Sequence, residues 1–86
     1  MNKKQERLTG EAAAKFLRGR GYVVWLKKKY HLTNGQIARM SGLKTSQVAN
    51  LLGKSPSPMI AKRQTELDMI VEGLHLSPEW VYKGPQ

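Results

Sequence analysis

Cysteine is absent from this chain. That excludes a disulfide framework and any thiolate metal site, and it suits a reducing cytoplasm. No apolar run approaches the ~20 residues of a membrane span, and the opening MNKKQERLTG lacks the apolar segment of a signal peptide. A cytoplasmic protein with no membrane contact is expected. Internal repeats and low-complexity tracts are missing too. The 86 residues are too few for two cores, so one small domain is expected, with a core thin enough to make oligomerisation unsurprising. His31 and His75 stand apart from any clustered carboxylate, and no serine has a base partner suggested by spacing. Neither a metal site nor acid–base or nucleophilic catalysis is indicated. The chain does not read as an enzyme, and nothing in it points to a cofactor or a small-molecule ligand.

Negative charge is the scarcest feature of all, and its placement matters. Between Ala12 and Thr65 there are eleven Lys and Arg residues and no Asp or Glu. From Glu66 to Glu79 the sign reverses, with Glu66, Asp68, Glu72 and Glu79 and no Lys or Arg. The net charge is +9, and this segregation predicts one strongly positive face, the footprint of a polyanionic partner. A solvated basic surface explains the excess but not the segregation. An anionic membrane would need basic residues flanking a broad exposed apolar face, and the apolar positions here look committed to a core.

Residues 1–8 read as a flexible basic arm, 9–82 as the domain and 83–86 as a tail. Glu11 and the alanines after it predict a helix over about 11–18, ended by Arg18, Gly19, Arg20 and Gly21. Tyr22, Leu26 and Tyr30, spaced four apart, predict another over about 22–30, with Val24 and Trp25 packing against Phe16 and Leu17. Asn34-Gly35 would suit a hairpin, but the flanks lack alternation. Thr33 with Gln36 three residues on reads instead as a capping box that opens a helix over about 34–41. After GKSPSP, a loop by composition, Ser57-Pro58 caps a helix that runs to Gly73 with Leu67, Ile70 and Val71 on its apolar stripe. Ser77-Pro78 then opens a short turn of helix with Trp80 and Val81. The expectation is a compact all-α domain of five to six helices.

Residues 36–54, QIARMSGLKTSQVANLLGK, raise the functional question. Both halves look helical, yet Gly42 stands between them. Two helices joined by a short turn can meet through Ile37, Leu43, Val48 and Leu51. Their close approach needs a small residue on the first helix, which Ala38 supplies, and a positive φ at the turn, which glycine adopts without a Cβ clash. Counted over twenty positions from Asn34, alanine falls fifth, glycine ninth and valine fifteenth, with apolar residues at four, ten and eighteen. Ser41, at the eighth, is polar but small.

This spacing is similar to the helix-turn-helix of Cro and repressor type, at about 34–53. Over about residues 20–82 the chain resembles the small phage regulators of the lambda-repressor-like superfamily, including Ner-type and Apl-type DNA-binding proteins. In that pattern a helix precedes the motif and two follow, and LHLSPEW at 74–80 resembles the last loop and helix, where Trp80 would close the core. The helix at 11–18 has no counterpart in the minimal pattern. The resemblance implies that the second motif helix, over about 45–53, enters the major groove by its N-terminal end. Lys44, Thr45, Ser46, Gln47, Ala49 and Asn50 are then the residues expected at base edges. Gln47 and Asn50 can pair bidentately with adenine and Lys44 with guanine, while the Thr45 methyl meets thymine and Ala49 is a small spacer. Gln47 lies between the base-facing positions and can reach phosphate instead. Asn34 and Gln36 at one helix N-terminus, and Lys54 and Ser55 past the other helix, are expected at phosphates. Lys3, Lys4 and Arg7 can wrap the duplex as an arm.

The resemblance implies a double-stranded DNA-binding transcriptional regulator of phage or prophage repressor type, cytoplasmic in a bacterial host. It would bind as a homodimer, or assemble cooperatively, on a palindromic operator with half-sites about one helical turn apart. The acidic 66–79 segment, away from DNA, can supply the dimer contact. An alternative is an excisionase, a recombination directionality factor that binds and bends an attachment site, with tandem direct repeats as its signature. A protein-interaction module that offers its basic face to an acidic partner would show no DNA affinity.

Overall fold

The alanine-rich run that begins after Thr9 propagates further than its glycines suggest. In a computed structural model of the chain, which describes residues 6–53 and 59–83, helix α1 is continuous from Gly10 to Lys29. Two helices, at 11–18 and 22–30, were expected from the sequence. The reason for one lies in Gly19, which is buried. A Cβ there would come within 2.7 Å of Tyr82 Cδ1 and 3.2 Å of Leu67 Cδ2. Glycine in a helix interior costs about 1 kcal/mol relative to alanine; here it lets two elements dock on α1. The buried stripe of α1 is accordingly Phe16, Gly19 and Val23, at spacings of three and four. The Tyr22–Leu26–Tyr30 stripe is only partly covered, with Tyr30 exposed. Trp25 and Leu17, expected to pack together inside, are both 44% exposed.

Four further helices follow: α2 (Asn34–Ser41), α3 (Thr45–Leu52), α4 (Ala61–Gly73) and α5 (Pro78–Lys83). No named strand occurs among the described residues. Helix α1 packs on α3, α4 and α5, whereas α2 packs on α3 and α4 and not on α1. The shared core consists of Phe16, Val23, Ile37, Ala38, Val48, Leu51, Leu67 and Ile70. Val71 and Val81 are buried beside it.

Helix α4 was expected from Pro58. Ser57-Pro58 lies outside the described residues, and the helix begins at Ala61, whose N–H donates to the Glu6 carbonyl (2.8 Å). Leu8 N–H donates to the Met59 carbonyl (2.9 Å), and Arg7 and Ile60 form an antiparallel bridge. Glu6–Leu8 is thus docked along the entry to α4 and satisfies one of its orphan N-terminal donors. Helix α5 turns the other way from expectation. Val81 is buried and Trp80 is 63% exposed, so the tryptophan does not close the core. Tyr82 fills that role, with its hydroxyl donating to Asp68 and accepting from Gln64 Nε2 at 2.8 Å. Its carbonyl accepts from Arg18 Nε at 2.7 Å. Burial first, and then the Asp68 carboxylate, push the Tyr82 phenol above its ordinary pKa.

Both histidines have the same structural job. His31 (φ 53°) follows α1 and His75 (φ 56°) follows α4, each in the left-handed region. Leu32 N–H donates to the Lys27 carbonyl and Leu76 N–H to the Val71 carbonyl, both at 2.9 Å. The unit helix–His–Leu–Thr/Ser–helix therefore occurs twice, and it closes each helix before the next begins. Histidine is one of the non-glycine residues enriched in this conformation, yet a Cβ there still costs about 1–2 kcal/mol. His31→Gly and His75→Gly are each expected to stabilise the fold, by up to about 1 kcal/mol once the extra chain entropy of glycine is deducted. The check is a higher urea midpoint at unchanged m-value.

Candidate nucleic-acid interface

The motif segment folds as two short helices set by their caps. At the start of α2, Thr33 Oγ1 accepts the Gln36 N–H (3.0 Å) and Gln36 Oε1 accepts the Thr33 N–H (2.8 Å), a complete capping box. At its end Gly42 has φ 74° and ψ 21°. The N–H groups of Gly42 and Leu43 both reach the Ala38 carbonyl, the latter at 3.0 Å. Residue eight of the motif, Ser41, is buried, and its hydroxyl donates to the Ile37 carbonyl at 2.6 Å. That back-bond satisfies the hydroxyl inside the core. Ile37, Ala38, Val48 and Leu51 are all buried, and Leu43 is half-buried against them.

What remains of α3 faces outward. Lys44, the residue that precedes α3, is exposed, and so are Thr45, Ser46, Ala49 and Asn50 on the helix; at helical spacing Ser46, Ala49 and Asn50 fall on the side away from Val48 and Leu51, with Thr45 at its flank. Gln47 departs from the expectation of a base-reading or phosphate-reaching residue. Its Oε1 accepts the Lys44 N–H at 2.8 Å and its Nε2 donates to Glu66 Oε2 at 3.1 Å. Both ends of its amide are used inside the protein, so Gln47 holds the start of α3 against α4. Glu66 is 4% exposed and its other oxygen takes the Arg63 guanidinium at 2.7 Å. A buried carboxylate needs such partners.

The far end of α3 is held from α1. Arg20 Nε donates to the Leu51 carbonyl at 2.9 Å, and its NH2 group donates to the Gly53 carbonyl. A cation at a helix C-terminus also meets the negative end of the helix dipole. Arg20 is a functional candidate that the sequence did not single out. It reads as part of a helix stop, and nothing in its spacing ties it to residues 51 and 53.

The other expected contacts divide. Gln36 is exposed at the tip of α2, where Asn34 and Gly35 occupy the first two positions, whose N–H groups have no intrahelical partner. Asn34 itself is half-buried, and its Oδ1 has no hydrogen-bond partner among the described residues. Arg7 is exposed beside the bridge to Ile60. Lys3, Lys4, Lys54 and Ser55 lie outside the described residues. Of the acidic segment, Glu66 and Asp68 are engaged internally, while Glu72 and Glu79 are exposed.

Compared with protein-family models, with curated proteins and with solved structures, the chain matches none. The interface is therefore judged on its own geometry. Its outward face carries hydroxyl, amide and ammonium groups around a small alanine, set on a helix fastened at both ends. No group of three or more potential metal ligands occurs among the described residues. No helix among them is long and apolar enough to cross a membrane.

Proposed function

We propose that this chain is a sequence-specific double-stranded DNA-binding regulator of repressor type, with α3 as its recognition helix. The observation that carries the reading is the exposed face of α3. Thr45, Ser46, Ala49 and Asn50 point outward from a helix whose other face is buried at Val48 and Leu51, within a stretch that has no acidic residue from Ala12 to Thr65. A rigid helix with short polar side chains and no carboxylate is suited to the major groove, where hydroxyl, amide and methyl groups can read base edges. Gln36, Lys44 and the tip of α2 border that face and are suited to phosphate. Because Gln47 is committed within the protein, base reading falls to Lys44, Thr45, Ser46 and Asn50, with Ala49 leaving room.

Binding by such a surface releases counterions from each phosphate neutralised. Duplex affinity is expected to fall steeply with salt, with a log–log slope of about −0.9 for every phosphate contacted. Fluorescence anisotropy of a labelled duplex across a salt series measures it. A response that is flat with salt would count against DNA as the partner.

A further inference from the structure

Gln47 and Asn50 carry the same amide group about one turn apart on α3, yet they are held differently. Asn50 is exposed, whereas the Gln47 amide is drawn towards α4 by Glu66. Packing does not draw it there. Gln47 borders a cavity of about 270 Å³, shared with Leu43, Thr65, Glu66 and Met69, which is space for several water molecules. Hydrogen bonds set its position instead, and they run in one chain from α4 to the residue that enters α3. The Arg63 guanidinium donates to Glu66 Oε1 (2.7 Å), Gln47 Nε2 donates to Glu66 Oε2 (3.1 Å), and Gln47 Oε1 accepts the Lys44 N–H (2.8 Å). Glutamine at 47 supplies an acceptor for Lys44 and a donor for Glu66 at once. Glutamate would serve Lys44 but would set a second carboxylate against Glu66.

Glu66 is a costly residue to keep. It is 4% exposed, and it is the first acidic residue after Glu11. A buried ion pair adds little stability over well-packed apolar side chains of similar volume. Pairing with Arg63 alone would also require no contact with α3. We propose that Glu66 is a positioning residue that sets the base preference of α3 without touching DNA: it holds the Gln47 amide against α4 and so keeps it out of the groove. The proposal rests on α3 being the recognition helix. At helical spacing Gln47 lies on the flank between Asn50 and Leu51. Released from Glu66, its amide would lie beside that of Asn50, three residues on, with the same ability to pair bidentately with adenine. Glu66 thus leaves one amide on the reading face where the sequence offers two.

Two double variants separate this tie from the ion pair. Both carry Arg63→Met, so that neither strands a partly buried guanidinium. Glu66→Leu removes the acceptor for Gln47, whereas Glu66→Gln keeps one in neutral form. In selection from a random duplex pool, the Glu66→Gln double is expected to keep the wild-type preferences. The Glu66→Leu double is expected to add a preference for adenine, of about fivefold or more, at one further position in each half-site. Adding Gln47→Ala to it is expected to abolish that new preference. In the free chain, hydrogen exchange at the Lys44 amide is expected to be about tenfold faster with Glu66→Leu than with Glu66→Gln, because an unanchored Gln47 caps it less of the time. A merely structural role for Glu66 would change both doubles alike. Equal exchange in the two doubles, or wild-type preferences retained with Glu66→Leu, would overturn the proposal. The exchange difference without any enriched site for the wild type would overturn the reading of α3 as recognition helix and, with it, the role of Glu66 in specificity.

Discussion

Gly73→Ala is expected to destabilise the fold by about 2–4 kcal/mol, far more than alanine normally costs at a helix end. The reason is the spacing of α2 and α4. A Cβ on Gly73 would lie 2.8 Å from both the Met40 carbonyl carbon and Ser41 Cα, with the Met40 carbonyl oxygen closer still. These are backbone atoms and cannot swing aside, so the two helices would have to separate. Ala38 and Ile37 on α2 meet Leu67 and Ile70 on α4 in the same core, and a forced separation opens voids there. Gly42→Ala provides the contrast. Its φ of 74° imposes strain, but an added Cβ meets nothing within 4 Å among the described residues, so about 1–2 kcal/mol is expected. Urea unfolding of the two variants beside the wild type checks the order, and equal losses would mean that the α2–α4 approach is not tight.

Arg20→Ala is expected to cost about 2–4 kcal/mol of stability, by removing charge-assisted hydrogen bonds to the end of α3 and leaving its carbonyls unpaired. The larger consequence is for binding. With Arg20 gone, α3 keeps its apolar anchors Val48 and Leu51 and its Gln47–Glu66 tie but loses the fastening at Leu51 and Gly53. Duplex affinity is expected to fall by about tenfold or more under conditions where the variant is fully folded, because ordering the helix end then becomes part of the cost of binding. Arg20→Lys restores charge without the planar fork that spans two carbonyls and is expected to recover only part of the loss. Anisotropy titrations, with circular dichroism to establish folding, measure both effects. Undiminished affinity in folded Arg20→Ala would show that α3 needs no support from α1.

These two positions also show what the sequence could and could not express. The motif core was legible because its constraints are local. The interval from Ala38 to Gly42 fixes a turn, and the interval from Gly42 to Val48 fixes which face of the next helix is buried. Gly19 was misleading for the opposite reason, and Gly73, which does end α4 as expected, gave no sign that it also lets α2 come close. A glycine that permits a close approach looks the same in sequence as one that ends a helix, and only the distant partner, Tyr82 or Met40, tells them apart. Trp80 was placed in the core by the resemblance, and Trp25 was set against Phe16 and Leu17 on the expectation of a separate first helix, whereas the smaller Val81 and Val23 are the buried residues. Gln47 illustrates a polar version of the problem. Its position on the helix is equally consistent with reading a base or holding Glu66, and the competing partner lies nineteen residues away. The histidine caps did leave a local signal, since His-Leu followed by Thr or Ser occurs before α2 and again before α5, but it is legible only once a left-handed residue is sought between helices.

The central claim is that the outward face of α3 reads base pairs. The most direct test selects bound duplexes from a random pool with the wild-type chain and with Asn50→Ala. The wild type is expected to enrich a defined site. The variant is expected to retain the site's length and spacing but to lose preference at a single position in each half-site, at a cost there of about 1–3 kcal/mol. Identical preferences for the two proteins, or no enriched site for the wild type, would contradict the account.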